Sequence, residues 1–514
     1  MTSHAMQNLI DSIYTNYPNV CDIWEIVAIV EALGYTDRII ETEFGCPNAL
    51  ILSQFIYAQR EHVPFPEYPE SPIAKPPLKL SEEIQIFITQ FSHSFIYTIP
   101  FIILLILDYL PIDKTKDFLP PEINSLFAIV TMASLITSSG FVQMISRRGS
   151  FYMGLQDPIQ ANRICIPILW MGIVTTIVVG LLGILFSFYQ RIAADEYIIL
   201  AGIYYTIMSA IWMLFAVIGI QYRFAAPAIL IGITCCFALL RIFVHLSAIE
   251  SQLIVITIAS LTLSLLAIFN AIKYRSISPE FGGIVSLPNL SVLVYLLAPH
   301  FLYGIIYFGF IFADRLAANL ATGGIYTLLS GNNLSYQNSM DIALLNLLLI
   351  VPLVEYFSYK LIVFWYDRAK HLTLDEIDNL AWRLQKRYWK SFAQILLFFG
   401  MLMIMTIVLL TLLHRNLTEN ILTVIACFGY LFFAIGLFNT VILLSLDRLR
   451  DVLNILASAM MVNFILGYLL SSIAGVYFAV IGLIVGGAIF AIASSQKTLA
   501  AIDRADYCYF YSGY

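Results

Sequence analysis

Long apolar runs separated by short polar ones dominate this chain from about residue 85 onward. A run of about 20 apolar residues spans a bilayer core as a helix. Twelve such runs are present, at 85–107, 122–145, 164–189, 196–219, 225–247, 252–272, 290–312, 339–364, 389–413, 419–444, 452–471 and 474–495. Six precede residue 280 and six follow it. The pattern predicts an all-α, polytopic membrane protein with about 12 transmembrane helices in two six-helix halves, 81–280 and 281–514, the second carrying a C-terminal tail.

The first 61 residues differ. Their polarity is mixed, and Asp22–Leu33 places Ile23, Ile26, Val27, Val30 and Leu33 at helical spacing. A further helix is expected over Ala49–Arg60. Residues 62–80 follow with prolines at 64, 66, 69, 72, 76 and 77, which lock φ and remove donors. This predicts a small cytoplasmic helical module (1–61) joined by an extended proline-rich linker to the membrane part. No basic segment followed by an apolar core opens the chain, so no secretory signal is expected.

Composition agrees: 60% of the 514 residues are hydrophobic and 12% charged, with a mean hydropathy of +0.85. Soluble domains carry about 25% charged residues. The distribution of lysine and arginine orients the helices. With both termini cytoplasmic, 18 of the 27 basic residues fall on inside segments and 5 on outside loops. That bias predicts a multi-pass membrane protein with both ends cytoplasmic. The seven cysteines fall in cytoplasmic or membrane segments at spacings that predict neither a disulfide framework nor zinc.

Soluble catalytic signatures are missing. There is no GxxxxGK[ST] phosphate loop, HExxH, GxSxG or GxGxxG. The expectation is a non-enzyme with no cofactor, no metal and no nucleic-acid partner. The loop between the eighth and ninth spans predicts an amphipathic helix over Thr373–Phe392. Thr373 and Glu376 form a capping box, and its base-rich end holds Arg383, Lys386, Arg387 and Lys390. It suits anionic membrane lipid or a cytoplasmic partner. Arg147 and Arg148 extend the cytoplasmic basic patch.

Polar residues inside the apolar runs are the candidate functional groups. In VPLVEYFSYKLIVFW (Val351–Trp365), Lys360 is long enough to reach the headgroups. Glu355 is not. It lies about 15 Å from the helix end at Trp365, where a charge costs about 3 kcal/mol. It must be protonated, paired or facing water. Arg241 and His300 lie within other spans, and Asp314–Arg315 are placed at the outer end of the seventh. Each also has a plain structural reading: His300 as a satisfied core histidine, Asp314–Arg315 as an interfacial pair. Asn439, Asn454 and Asn463 are expected to bind helices together. Two six-helix halves suit a transporter with a midplane cavity, where Glu355, Arg241, His300, Asp314 and Arg315 would meet substrate.

The second half resembles a known family. FADRL (Phe312–Leu316), Pro352 followed by Glu355, Leu374-Asp375-Glu376-Ile377 and Asp447-Arg448 stand in the order found in membrane subunits of Pel-type exopolysaccharide exporters (PelG-like). That family lies in the multidrug/oligosaccharidyl-lipid/polysaccharide flippase superfamily. The resemblance covers roughly residues 300–500, with Arg315 where the family has lysine. It implies export or flipping of a polysaccharide or lipid-linked oligosaccharide, beside a cytoplasmic glycosyltransferase and other synthase subunits. Two other classes remain open on sequence: a non-transporting scaffold subunit of an exopolysaccharide synthase, and an intramembrane transferase. A cation-coupled small-molecule antiporter is the rival within the same fold.

Overall fold

A computed structural model of the chain describes residues 3–16, 22–58, 80–96, 98–99, 102–103, 121–222, 225–246, 248–275, 290–330, 334–369, 377–412, 416–505 and 507–508. The chain divides into two compact units, Met1–Leu80 and Ser81–Tyr514. The proline-rich segment expected at 62–80 lies almost wholly outside the described residues.

The first unit holds α1 (Ser3–Asn16), α2 (Ile23–Ala32), α3 (Asp37–Phe44) and α4 (Ala49–Ala58). Of the apolar positions that predicted α2, Ile26 and Val30 turn inward and, with Ile29, join Ile13, Ile40, Leu52 and Ile56 in a core of their own, whereas Leu33 is exposed. Side chains fix the helix ends. Asp22 accepts from the Glu25 amide at 2.8 Å and caps α2. Asp37 accepts from the Ala49 amide at 3.0 Å, tying α3 to the start of α4.

The second unit is built from α5 (Leu80–Phe95), α6 (Pro121–Gly154), α7 (Pro158–Gln190), α8 (Asp195–Gln221), α9 (Ala225–Leu239), α10 (Ala248–Arg275), α11 (Leu290–Ser330), α12 (Leu334–Ala369), α13 (Ile377–Leu412), α14 (Leu417–Ser445), α15 (Leu449–Ala474) and α16 (Ala479–Ile502). Among the described residues, eleven helices are long and apolar enough to cross a membrane, and they are α6 to α16. The run expected at 85–107 begins within α5, but much of its remainder lies outside the described residues.

Two of the elements differ from expectation. The amphipathic helix of 373–392 is not a separate loop helix. From Ile377 onward it is the first part of α13, because no glycine or proline interrupts the chain before Gly400. Its proposed capping box lies outside the described residues. Asp314 and Arg315 do not end a span either. α11 continues past them to a break at Gly324, whose φ of +70° is one that glycine adopts without a Cβ clash.

Two apolar cores divide the membrane unit. Helices α6 to α10 bury Phe141, Ile145, Ile168, Tyr204, Met213 and Leu263 together. Helices α11 to α16 bury Phe310, Tyr336, Leu347, Tyr430, Phe438 and Phe490. α11 belongs to both. Its Leu293 and Leu297 lie in the first core, and its Tyr303 and Phe310 in the second. Pro299 sits at the changeover, where it removes one helical hydrogen bond. The seam is tight: the Gly304 Cα rests on the Ser139 carbonyl of α6 with no room for a Cβ. Within the second half, Gly482 and Gly486 of α16 lie on the backbone of α15 at Asn463 and Ala459. Small residues four apart allow this close approach in lipid.

Candidate functional site

Glu355 stands in the middle of α12, about 21 Å along the axis from the Ala369 end. Its side chain is exposed, whereas Val354, Tyr356, Phe357 and Ser358 around it are buried. Pro352, one turn earlier, leaves a gap in the helical ladder. The carboxylate is close enough to Tyr307 on α11 to act electrostatically on its hydroxyl. Beside it, Tyr356 meets Phe87 of α5 edge-to-face at 5.0 Å. Phe87, Phe91 and Phe95 continue along α5 as stacked rings at 5.3 and 5.2 Å. Tyr307 in turn touches Phe308 at 5.1 Å and Phe433 at 5.6 Å. The acid therefore lies within electrostatic reach of Tyr307 on α11, and the residue after it packs on the ring stack of α5. Lys360 is also exposed, further along the same helix.

Asp314 and Arg315 are not an interfacial pair. Both are fully buried in the second half, at 0% and 2% exposure. Tyr336 of α12 donates to Asp314 Oδ2 at 2.8 Å. Arg315 Nη2 lies 2.8 Å from Asp341 Oδ1 of α12, and its guanidinium sits over Phe312 at 5.5 Å. Asp314 Oδ1, Arg315 Nε and the buried Tyr430 hydroxyl of α14 have no hydrogen-bond partner among the described residues. Two opposite charges side by side explain why so polar a cluster survives burial. Sequence reading missed Asp341, Tyr336 and Tyr430. Asp341 was legible as an acid opening an apolar run; the tyrosines carried no signal among 30 of their kind.

Arg241 lies near the end of its span rather than at depth. α9 passes into a π turn, Leu240–Val244, that stops at His245 with φ of +56°. The Arg241 guanidinium donates to the Leu246 carbonyl at 2.9 Å and so closes the end of its own helix. His245 is exposed.

His300 is half-buried one residue after Pro299, and its charged neighbours are Arg147, Asp447 and Arg148. Arg147 belongs to α6 and Asp447 to the turn between α14 and α15. The two form an ion pair at 3.6 Å across the seam between the halves. The structure thus unites His300 with the Arg147–Arg148 patch rather than with Arg241.

The rest of the basic patch lies on α13. Leu380, Leu384 and Tyr388 face the core, and Arg383, Lys386, Arg387 and Lys390 face outward. Trp382 and Trp389 are 61% and 51% exposed between these charges. Lys386 covers Trp382 at 5.2 Å and Arg387 covers Phe364 of α12 at 3.6 Å. The expected asparagine contacts include Asn439, which accepts from Tyr388 at 2.9 Å and donates to Ser495 at 3.0 Å. Asn463 donates to the Phe310 carbonyl at 3.1 Å. Among the described residues, no group of three or more His, Cys, Asp or Glu is placed to hold a metal ion.

No protein-family model and no curated protein matches the sequence. Solved structures do. A Vibrio cholerae MATE transporter variant superposes with a TM-score of 0.58 at 14% identity, covering 84% of this chain and 99% of that one. A MATE protein in its straight conformation gives 0.54 at 12% identity, covering 83% and 97%. An inward-facing multidrug resistance MATE transporter of the MOP superfamily gives 0.53 at 13% identity, covering 83% and 98%. The membrane unit has the MATE-type fold.

Proposed function

We propose that this chain is a membrane transporter of the flippase type, moving a polysaccharide or lipid-linked oligosaccharide across a bacterial inner membrane. The observation that carries the reading is Glu355: an exposed carboxylate at mid-helix, flanked by buried residues and within electrostatic reach of Tyr307. A carboxylate at that depth is stable where water or polar cargo reaches it. Sugar rings present hydroxyls that a carboxylate accepts from, so an exposed acid beside Tyr307 suits such a cargo. The MATE-type fold supports passage between two halves. The second-half motifs, Asp314-Arg315, Pro352…Glu355 and Asp447-Arg448, favour a saccharide over a small drug.

In this reading both termini are cytoplasmic, a glycosyltransferase and other synthase subunits supply the cargo, and the basic face of α13 rests on lipid. Transport of a fluorescent lipid-linked oligosaccharide in proteoliposomes tests it. Glu355→Ala should insert normally and lose at least about tenfold in rate. A wild-type rate in that variant removes Glu355 from the transport path.

The separate core of the N-terminal unit favours a second reading, in which the chain serves as a scaffold. Deleting residues 1–61 distinguishes the two. A scaffold loses assembly of the synthase, whereas a transporter retains flipping in proteoliposomes.

A further inference from the structure

The seam beneath His300 has more positive character than a single ion pair requires. Arg147 and Arg148 occupy the last turns of α6, and His300 of α11 lies within electrostatic reach of both. Arg147 is met by Asp447 at 3.6 Å. Arg148 lies over Phe151 at 5.6 Å, and its buried Nε has no hydrogen-bond partner among the described residues. Two other cations near Asp447 are engaged elsewhere. Arg448 reaches Asp451 at 4.0 Å and Lys497 reaches Asp451 at 3.1 Å. α15 opens two residues after Asp447 with no side-chain cap. The first amides of a 26-residue helix therefore stay open at this end of the seam.

We propose that Arg147, Arg148 and His300, at the uncapped start of α15, form a binding site for a phosphate or diphosphate group, and that Asp447 is its internal competitor. The carboxylate at 3.6 Å from Arg147 takes the place an incoming phosphate oxygen would take. Both partners are more than half exposed, at 54% and 67%, and exposed pairs are worth about 0–1 kcal/mol, so exchange costs little. A diphosphate offers several oxygens at once, enough for both guanidinia and the open amides, whereas Asp447 offers two. Replacing Asp447 with a ligand also removes a bond between the halves. Cargo binding would thereby loosen the seam at the end where it enters. Asp447 itself has φ of +55°, a conformation that aspartate and asparagine tolerate best after glycine.

This inference rests on the transport reading only in naming the cargo: a saccharide carried on a phosphorylated lipid. Binding is measured on the purified full-length chain in nanodiscs, with inorganic pyrophosphate as the first probe. Nanodiscs containing a polyprenyl diphosphate are the second probe, compared with the corresponding polyprenyl alcohol. Asp447→Asn keeps the turn and should tighten pyrophosphate about tenfold, and Arg148→Gln should weaken it by at least about tenfold. Thermal unfolding confirms that both variants fold. Stronger competition by the lipid diphosphate than by free pyrophosphate identifies a lipid carrier; the reverse identifies a soluble phosphate ligand. Equal affinity in wild type, Asp447→Asn and Arg148→Gln, or no binding of either probe, overturns the site. In that case flipping of a neutral saccharide through Glu355 would still stand.

Discussion

Arg315 on α11 meets Asp341 on α12 at 2.8 Å, the guanidinium 2% exposed and the carboxylate 59% exposed. Removing Asp341 leaves the buried guanidinium with Asp314 as its remaining carboxylate, at a cost below the roughly 3–5 kcal/mol of breaking a fully buried pair because Asp341 is half exposed. Asp341→Ala should therefore lower the unfolding temperature markedly in detergent. Lys390→Ala, on the exposed face of α13, should leave it nearly unchanged. Equal unfolding temperatures for Asp341→Ala and wild type would show that Arg315 is satisfied by Asp314 and Tyr336 alone.

Gly304 sets the spacing at the seam. A methyl group there meets the Ser139 carbonyl of α6, which is backbone and cannot rotate away. Overpacking costs about 1–3 kcal/mol. Gly304→Ala should reduce thermal stability by that order and push α11 from α6. Cysteine cross-linking between residues flanking 139 and 304 reads the change. Gly400, with nothing within 4 Å of the corresponding position, should accept alanine without loss.

The Asn439 side chain is fully buried and bonds three ways: to Tyr388, to the Ile435 carbonyl and to Ser495. It joins α13, α14 and α16. Asn439→Leu leaves the Tyr388 hydroxyl without this acceptor, which costs about 1–3 kcal/mol. Tyr388→Phe should cost less than Asn439→Leu, because Asn439 keeps its other two bonds. Thermal unfolding of the two variants in the same detergent gives the order, and a larger loss in Tyr388→Phe would contradict it.

How far the sequence could be read follows from which forces are local. Hydropathy located α6 to α16 because a bilayer demands length and apolarity, both of which are composition. Helix ends were harder. The Gly323–Gly324 pair that breaks α11 was visible, but the apolar count placed the end near Asp314, since a buried charge pair looks like an interface until its partners are known. Arg241 was read as deep for the converse reason: the π turn and the left-handed His245 that bring the helix to its end have no hydropathy signature. Glu355 was legible as an anomaly from its depth alone. Tyr307, which it reaches, comes from a helix distant in sequence. So does the grouping of His300 with Arg147 and Asp447, which depends on how α11 passes from one core to the other at Pro299.

The central claim is that water reaches Glu355. In a variant whose seven native cysteines are replaced, Glu355→Cys should react with a hydrophilic, membrane-impermeant maleimide in reconstituted vesicles. Leu397→Cys, on the exposed surface of α13, is the lipid-facing control and should not react. Reaction at position 355 at a rate well above the control is the predicted result. A position 355 that reacts only with a lipid-soluble reagent, as the control does, would place the carboxylate against lipid and contradict the account.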